Sequence, residues 1–148
     1  MGCQTTKELP KDDFYFFIEQ TDDSDHMIWS GVATLPISQT QVKICNQPIL
    51  LASDIDCVRI AESNFGKCLI FQLTQRAAIQ FFRIIVDSLG RKIVLFFNGK
   101  PLGLSLPLEK ASLDGTIAIF PEIYDENLDK LVNDLNSAIC AIKKLKDQ

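Results

Sequence analysis

LGRKIVLFFNGK, residues 89–100, is the stretch of sequence that decides the fold. Gly90 follows a segment with helical periodicity and is suited to close a helix. Residues 91–97 are then predicted to form a strand that is continuously apolar from Ile93 to Phe97, and Asn98-Gly99 is the strongest short signal for a tight β-hairpin turn. A helix that leads at once into a strand and a hairpin indicates that helices pack on a mostly antiparallel sheet.

Two helices flank this stretch. The spacing predicts a first helix over 75–89, with Thr74 as its N-cap and a buried stripe. That stripe comprises Ala78, Phe81, Phe82, Ile85 and Leu89. Because Ile79, Ile84 and Val86 add apolar surface beyond the stripe, we expect this helix to be covered on more than one side. A final helix is predicted to begin near Asp125, and its buried stripe comprises Leu128, Leu131, Val132, Leu135, Ile139 and Ile142.

The remaining apolar segments predict strands. They cover 13–19, 27–37 and 42–46, a hairpin of 55–62 with 67–73, and 116–120. Pro101 and Pro107 lack amide donors, so we expect the return arm after Asn98-Gly99 to lie at an edge of the sheet. The prediction is a single α+β domain over 13–148, a mostly antiparallel sheet with two amphipathic helices packed on one face.

Composition and charge exclude several classes of protein. The 148 residues carry 15 basic and 19 acidic side chains, a net charge of −4, which disfavours binding to nucleic acid. Apolar runs are too short to span a bilayer. His26, the only histidine, follows Asp22, Asp23 and Asp25 without the spacing of a calcium loop, so a solvated turn is expected there. A lone histidine in a turn cannot by itself make a Ser-His-Asp or Cys-His site, and we expect no enzyme activity, metal or cofactor.

The cysteines after the N-terminus match no zinc pattern; they are Cys45, Cys57, Cys68 and Cys140. Cys68 and Cys140 lie in apolar patterns, which predicts that both are buried. If the protein is exported, these four thiols could form two disulfides in any of three connectivities, and the sequence does not choose among them.

The first residues, Met1-Gly2-Cys3-Gln4-Thr5-Thr6, offer a lipid anchor. Cys3 fits the first mature residue of a bacterial lipoprotein, and residues 1–12 would then form a polar tether. Alternatively, Gly2 with Thr6 fits N-myristoylation after removal of Met1, with Cys3 available for palmitoylation. Two acyl chains would give a stable anchor where one is marginal.

From residue 47 to 141 the sequence resembles the first periplasmic head domain of SecD, a subunit of the protein-export membrane complex. The resemblance lies in 48–55, in the strand-to-helix step of 67–74, in 89–100 and in 114–119. The Ala-Pro step of that family after the hairpin is missing, with Ser105-Leu106-Pro107 nearby, and its transmembrane helices are absent. The resemblance implies an envelope setting and a role in engaging polypeptide, as in small stand-alone bacterial lipoproteins.

These observations lead to one leading hypothesis and two alternatives. The leading hypothesis is a non-enzymatic, membrane-anchored lipoprotein of the bacterial envelope, on the periplasmic side, that binds a protein partner. Its partner would contact the apolar face at Ile79 and Val86, or Leu102 and Leu104 at the expected sheet edge, by strand addition. The alternatives are a lipidated adaptor at the cytoplasmic face of a membrane and a small-molecule binder with a pocket lined by Phe81, Phe96 and Phe97.

Overall fold

The computed structural model describes residues 13–20, 31–109 and 114–146. Two short 3-10 turns, Ala52–Asp54 and Asp125–Asn127, accompany the helices and strands. In chain order the elements are β1 (Phe14–Ile18), β2 (Gly31–Thr34), β3 (Gln41–Ile44), β4 (Leu50–Leu51), β5 (Ile55–Ser63), β6 (Gly66–Leu73), α1 (Gln75–Asp87), β7 (Ile93–Phe97), β8 (Lys100–Leu104), β9 (Thr116–Pro121) and α2 (Leu128–Lys146).

The main sheet has seven strands in the order β4-β1-β7-β8-β9-β6-β5, and every neighbouring pair is antiparallel. Both helices pack on one face, where Phe81 of α1 and Leu135 of α2 join Phe16, Phe71 and Ile119 in the main core. The predicted α+β fold, with two helices on one face of a mostly antiparallel sheet, is therefore confirmed.

The opposite face is covered over only part of its width. The β2–β3 hairpin packs there against β7, and Ala33, Val42, Ile44 and Val94 form a second, smaller core. Ser38 at the tip of this hairpin bonds to Glu122 just beyond β9. The outer face of β9, β6 and β5 has no such cover within the described residues.

The predicted hairpin turn at Asn98-Gly99 is confirmed. Asn98 and Gly99 have φ values of 52° and 83°, the left-handed conformation that a two-residue turn between strands requires. Asn98 also accepts a hydrogen bond from the Asp13 amide at 2.9 Å and donates its own amide to the Asp13 carbonyl at 2.8 Å. This turn therefore also holds the start of β1.

The prediction that the return arm lies at a sheet edge is wrong. The arm is β8, the central strand of the seven, and the edges are β4 and β5. Pro101 lies opposite Phe96 beside a β-bulge, where a missing amide disturbs the ladder little, and Pro107 lies beyond the strand. A Cβ atom on Gly103 would lie 2.5 Å from the Phe120 carbonyl oxygen, so glycine permits the close approach of β8 to β9.

The predicted covering of α1 on more than one side is also wrong for the described residues. Ala77, Phe81 and Ile85 are buried, whereas Ile79, Phe82, Val86 and Leu89 are about half exposed or more. The apolar surface of the helix is wider than the side that meets the sheet. Thr74 caps the helix as predicted, accepting a bond from the Ala77 amide at 3.2 Å.

Three local details differ from the sequence-based expectations. The helix α1 ends at Asp87 with Ser88 as its C-cap, so Gly90 makes the following reversal rather than the cap itself. Asp125 was expected to be at or near the cap of the final helix, but it is the first residue of a 3-10 turn whose N-cap is Tyr124, and that turn has no side-chain capping bond. Cys68 is buried as predicted, but Cys140 is exposed because it lies outside the buried stripe of α2.

The edge strand β5 is partly closed by α2. The side-chain amide of Asn136 pairs with both backbone groups of Val58, with its Oδ1 accepting from the Val58 amide and its Nδ2 donating to the carbonyl, both at 3.0 Å. Lys143 donates to the Asp56 carbonyl at 3.3 Å and forms an ion pair with the Asp56 carboxylate. These contacts occupy one end of the edge that would otherwise be open to another strand.

Candidate functional site

The candidate site is a cleft at the point where the main sheet divides. Strands β8 and β9 pair through Leu104 with Phe120 and Gly103 with Pro121, and the Glu122 amide continues this pairing with a bond to the Leu102 carbonyl at 2.8 Å. Beyond these pairs, residues 105–109 follow β7, while residues 116–119 of β9 pair with β6. A gap therefore opens between residues 105–109 and the first half of β9. We call it the split-sheet cleft.

Hydrogen bonds hold the two walls apart. The buried Ser105 donates its amide to the Ile93 carbonyl at 2.8 Å, and its Oγ accepts from the Ile93 amide at 2.8 Å. Leu108 donates to the Arg91 carbonyl at 2.8 Å. On the other side, Leu73 of β6 donates to the Gly115 carbonyl at 3.0 Å. The two walls are thus hydrogen-bonded to different parts of the sheet, one to the β7 side and the other to β6.

The cleft has a volume of about 410 Å³ and mostly apolar walls. Leu106 and Pro107 line one wall, Ala118 and Phe120 the other, and Phe81 of α1 lies at its inner end. Phe65, at the tip of the β5–β6 hairpin, is 71% exposed. Its ring packs edge-to-face on the ring of Phe120, with the two ring centroids 6.2 Å apart. An exposed aromatic over an apolar cleft is typical of a binding surface.

One wall presents backbone groups as well as side chains. The bond from Leu73 to Gly115 makes Thr116 and Gln72 a non-hydrogen-bonded pair, so the same is true of Ala118 and Ile70. The amide and carbonyl of Ala118 therefore point away from β6 and into the cleft. Within the described part of the chain, Ala118 has no strand partner on that side.

The polar groups at the cleft are acidic or neutral. Glu62, Glu109 and Asp114 line its rim. The Asp114 Oδ1 accepts from both the amide and the hydroxyl of Thr116, at 3.0 and 2.8 Å. Burial raises the pKa of the Cys68 thiol, and the nearby Arg59 only partly offsets this. Cys68 therefore stays protonated at neutral pH and is a poor nucleophile.

The residues predicted to bind a partner fall into two groups. Ile79 and Val86 are exposed on α1, as a contact surface requires. Leu102 and Leu104 are only partly exposed in the central strand, and they pack against the main and the second core respectively. Leu102 and Leu104 therefore do not form an open edge, because β8 has a neighbour on each side.

The proposed aromatic pocket does not form. Phe97 packs against the main core, whereas Phe96 packs against the second core on the opposite face of the sheet. There the Phe96 ring stacks on the Tyr15 ring, with the ring centroids 5.7 Å apart. Of the three phenylalanines in that proposed pocket, only Phe81 borders the split-sheet cleft. Cys3, Gly2 and His26 lie outside the described residues.

Sequence reasoning missed the four cleft residues Phe65, Leu106, Ala118 and Phe120. The nearest sequence signal is Gly103, followed by Ser105 and Pro107, because these residues interrupt a segment that otherwise alternates between apolar and polar side chains. In the described ranges, no group of three or more His, Cys, Asp or Glu side chains could hold a metal ion, and neither helix is long and apolar enough to cross a membrane.

Comparison with known proteins gives one consistent result. No protein-family model matches the chain, and no similar curated protein was found. Two solved structures match over 87% of the chain at 13% identity: a crystal structure of SecDF in a super-membrane-facing form, with a TM-score of 0.61, and a structure of SecDF, a membrane component that enhances protein export, with a TM-score of 0.62.

The chain spans 19% of the length of the first of these structures and 64% of the second. The match confirms the resemblance to the SecD head domain expected from the sequence. At this low identity the likeness establishes the architecture rather than the activity. The chain therefore has the fold of a domain of SecDF.

Proposed function

We propose that this protein is a non-enzymatic polypeptide-binding domain of the bacterial cell envelope, held at a membrane through lipid on Cys3. The observation that carries the proposal is the split-sheet cleft, where an apolar groove lies beside strand backbone that has no partner among the described residues. The fold shared with a membrane component that enhances protein export supports the same role.

An extended polypeptide fits this cleft better than a helix does. The Ala118 amide and carbonyl can pair with a strand laid along β9, which is how β-augmentation supplies affinity independent of sequence. The side chains of such a strand would alternate between the walls, and Leu106, Phe65 and Phe120 would contact the apolar ones. Unfolded segments rich in β-branched and aromatic residues are therefore the expected ligands.

The rim adds a charge preference. With Glu62, Glu109 and Asp114 at the cleft, a segment with lysine or arginine at its ends is favoured over an acidic one. This preference is expected to weaken as the salt concentration rises, because these carboxylates lie near solvent.

The test is a binding titration with a synthetic ten-residue peptide of alternating Val and Ser, capped by Lys at each end. Leu106→Asp places a charge on the wall of the cleft and should weaken binding at least about tenfold, the effect of losing ~1.4 kcal/mol. Leu145→Asp is the matched control, since Leu145 is a similarly exposed leucine on α2, and should bind as the parent does.

A second peptide separates strand addition from simple apolar contact. N-methylation of alternate residues removes the amides that would pair with β9 and leaves every side chain in place. The N-methylated peptide should bind much more weakly than the parent. Equal binding of the two peptides, or equal effects of the two Leu→Asp changes, would contradict the proposal.

The cleft volume also lies within the range for small-molecule sites, which favours a second candidate, an apolar small ligand. The same titration distinguishes the two, because a site for an apolar small ligand offers only its apolar walls and would bind the N-methylated and the unmodified peptide equally well.

A further inference from the structure

Three backbone groups of β9 face the split-sheet cleft in a fixed order. The Leu73 amide bonds to the Gly115 carbonyl, and backbone groups alternate in direction along an antiparallel strand. The groups of Thr116 and Ala118 therefore point toward the cleft. The Thr116 amide is already occupied, because it donates to Oδ1 of Asp114 at 3.0 Å. The Thr116 carbonyl and both backbone groups of Ala118 have no strand partner in the described residues.

The two ends of this backbone row differ. At one end the Glu122 amide bonds to the Leu102 carbonyl, which sets the phase of the pairing between β8 and β9. Phe120 and Leu104 therefore exchange backbone bonds with each other, and an added strand must stop before them. At the other end the row finishes at the Asp114 carboxylate. An added strand thus meets used backbone at one end and a negative charge at the other.

An antiparallel strand fits this row poorly. Its residue opposite Ala118 would exchange two bonds with Ala118, and its residue two positions later would donate to the Thr116 carbonyl. The carbonyl of that later residue would then point at the Thr116 amide, which Asp114 already occupies. A carbonyl oxygen without a donor would lie against a carboxylate, which is unfavourable.

A parallel strand uses the same three groups without this conflict. In a parallel ladder the residue opposite Ile117 donates to the Thr116 carbonyl and accepts from the Ala118 amide. The residue two positions later donates to the Ala118 carbonyl. Because the amino-terminal end of such a strand points toward Asp114, a chain that begins there places an ammonium group beside the carboxylate.

We propose that the split-sheet cleft binds the amino-terminal end of a polypeptide, as a strand parallel to β9 with its α-ammonium group at Asp114. This inference rests on the proposed function, because it specifies which part of a polypeptide the cleft takes. The α-amine is protonated at neutral pH, and capture of an amino terminus is an established mode of peptide recognition. Glu109 lines the opposite wall at the same end and adds negative charge there.

The test compares three ten-residue peptides of alternating Val and Ser, each with an amidated carboxyl terminus. The first has a free amino terminus and the second an acetylated one. The third is acetylated and ends in Lys, which restores the net charge of the first peptide. The free-amine peptide should bind at least about fivefold more tightly than either acetylated peptide, because only its charge lies at the end of the backbone row.

Two variants of the protein locate the ammonium group. Asp114→Asn retains a side-chain oxygen for the Thr116 amide and removes the charge, so the preference for the free amino terminus should disappear. Glu62→Gln is the matched control, because it removes one negative charge from the cleft on the β5–β6 hairpin that carries Phe65. The preference should persist in Glu62→Gln. Circular dichroism spectra check that both variants are folded.

Two outcomes would overturn the inference. They are equal binding of the free-amine and the charge-matched acetylated peptides to the parent protein, and a preference that survives Asp114→Asn but is lost in Glu62→Gln. Neither outcome affects the proposed function, since the peptides would still bind and Leu106→Asp would still weaken them. Absence of binding by all three peptides would contradict the proposed function and this inference together.

Discussion

Ser38 and Glu122 join the small hairpin to the main sheet through two hydrogen bonds. The Ser38 amide donates to Oε1 of Glu122, and its hydroxyl donates to Oε2, both at 2.7 Å. The Ile37 amide adds a third bond to Oε1 at 2.9 Å. One carboxylate therefore fixes the tip of the β2–β3 hairpin, 84 residues away along the chain.

This carboxylate predicts a pH-dependent stability. Partial burial alone would raise the pKa of Glu122, but the bonds from Ser38 and Ile37 outweigh it and lower the pKa below the ordinary 4.5. Because the folded-state pKa is lowered, the stabilisation is present above the ordinary value and is lost as the pH falls through the folded value. Glu122→Gln should lower the free energy of unfolding by about 1 kcal/mol at pH 7, measured by urea unfolding.

The difference in unfolding free energy between the parent and Glu122→Gln should become smaller as the pH falls from 5 to 3, because the parent's own carboxylate is then protonated. Glu126→Gln, a change at an exposed glutamate in the turn before α2, is the control and should leave stability unchanged. A constant difference across this pH range would mean that the carboxylate charge does not hold the hairpin.

The Asn98-Gly99 turn predicts a second effect on stability. Gly99 has φ 83°, and a β-branched residue resists that conformation, so Gly99→Val should destabilise the domain by about 1–3 kcal/mol. Gly31→Val is the matched control, because Gly31 lies in a strand with open space at the Cβ position and no positive φ. A thermal midpoint for Gly99→Val equal to that of Gly31→Val would contradict this reading of the turn.

The packing of α2 predicts a third effect on stability. Leu135 is fully buried against the sheet, and Leu135→Ala should cost about 2–5 kcal/mol through lost burial and the cavity left behind. Leu145→Ala, the same change at an exposed site of the same helix, should cost little. Chemical denaturation of both variants measures the two values side by side.

The sequence-based predictions succeeded where local chemistry decides the structure. Thr74 and Asn98-Gly99 specify a cap and a turn through their own backbone preferences, and the stripe of α2 specifies one buried face. The predictions that Pro101 lies in an edge strand and that Phe82 is covered were wrong, because strand order and the width of a helix contact depend on residues distant in the chain. The split-sheet cleft arises where β8 leaves β9, and only Gly103 gives a local hint of that close approach.

The anchor hypothesis stays a prediction. Cys3→Ser, or removal of residues 1–10, should release the protein from membranes in its native host, with the domain from Asp13 onward still folded. The intact mass of native protein distinguishes diacylglyceryl lipid on Cys3 from a myristoyl group on Gly2. Membrane fractionation of Cys3→Ser equal to that of the parent would contradict the lipid anchor.

Hydrogen exchange at the Ala118 amide, followed by NMR, tests the polypeptide-binding proposal most directly. In the free protein this amide faces the cleft without a strand partner in the described residues, so it should exchange much faster than the Ile117 and Ile119 amides, which face β6. Saturating Val-Ser peptide should slow exchange at Ala118 at least about a hundredfold, and the N-methylated peptide should not. Peptide binding that leaves exchange at Ala118 unchanged would contradict strand addition in the cleft.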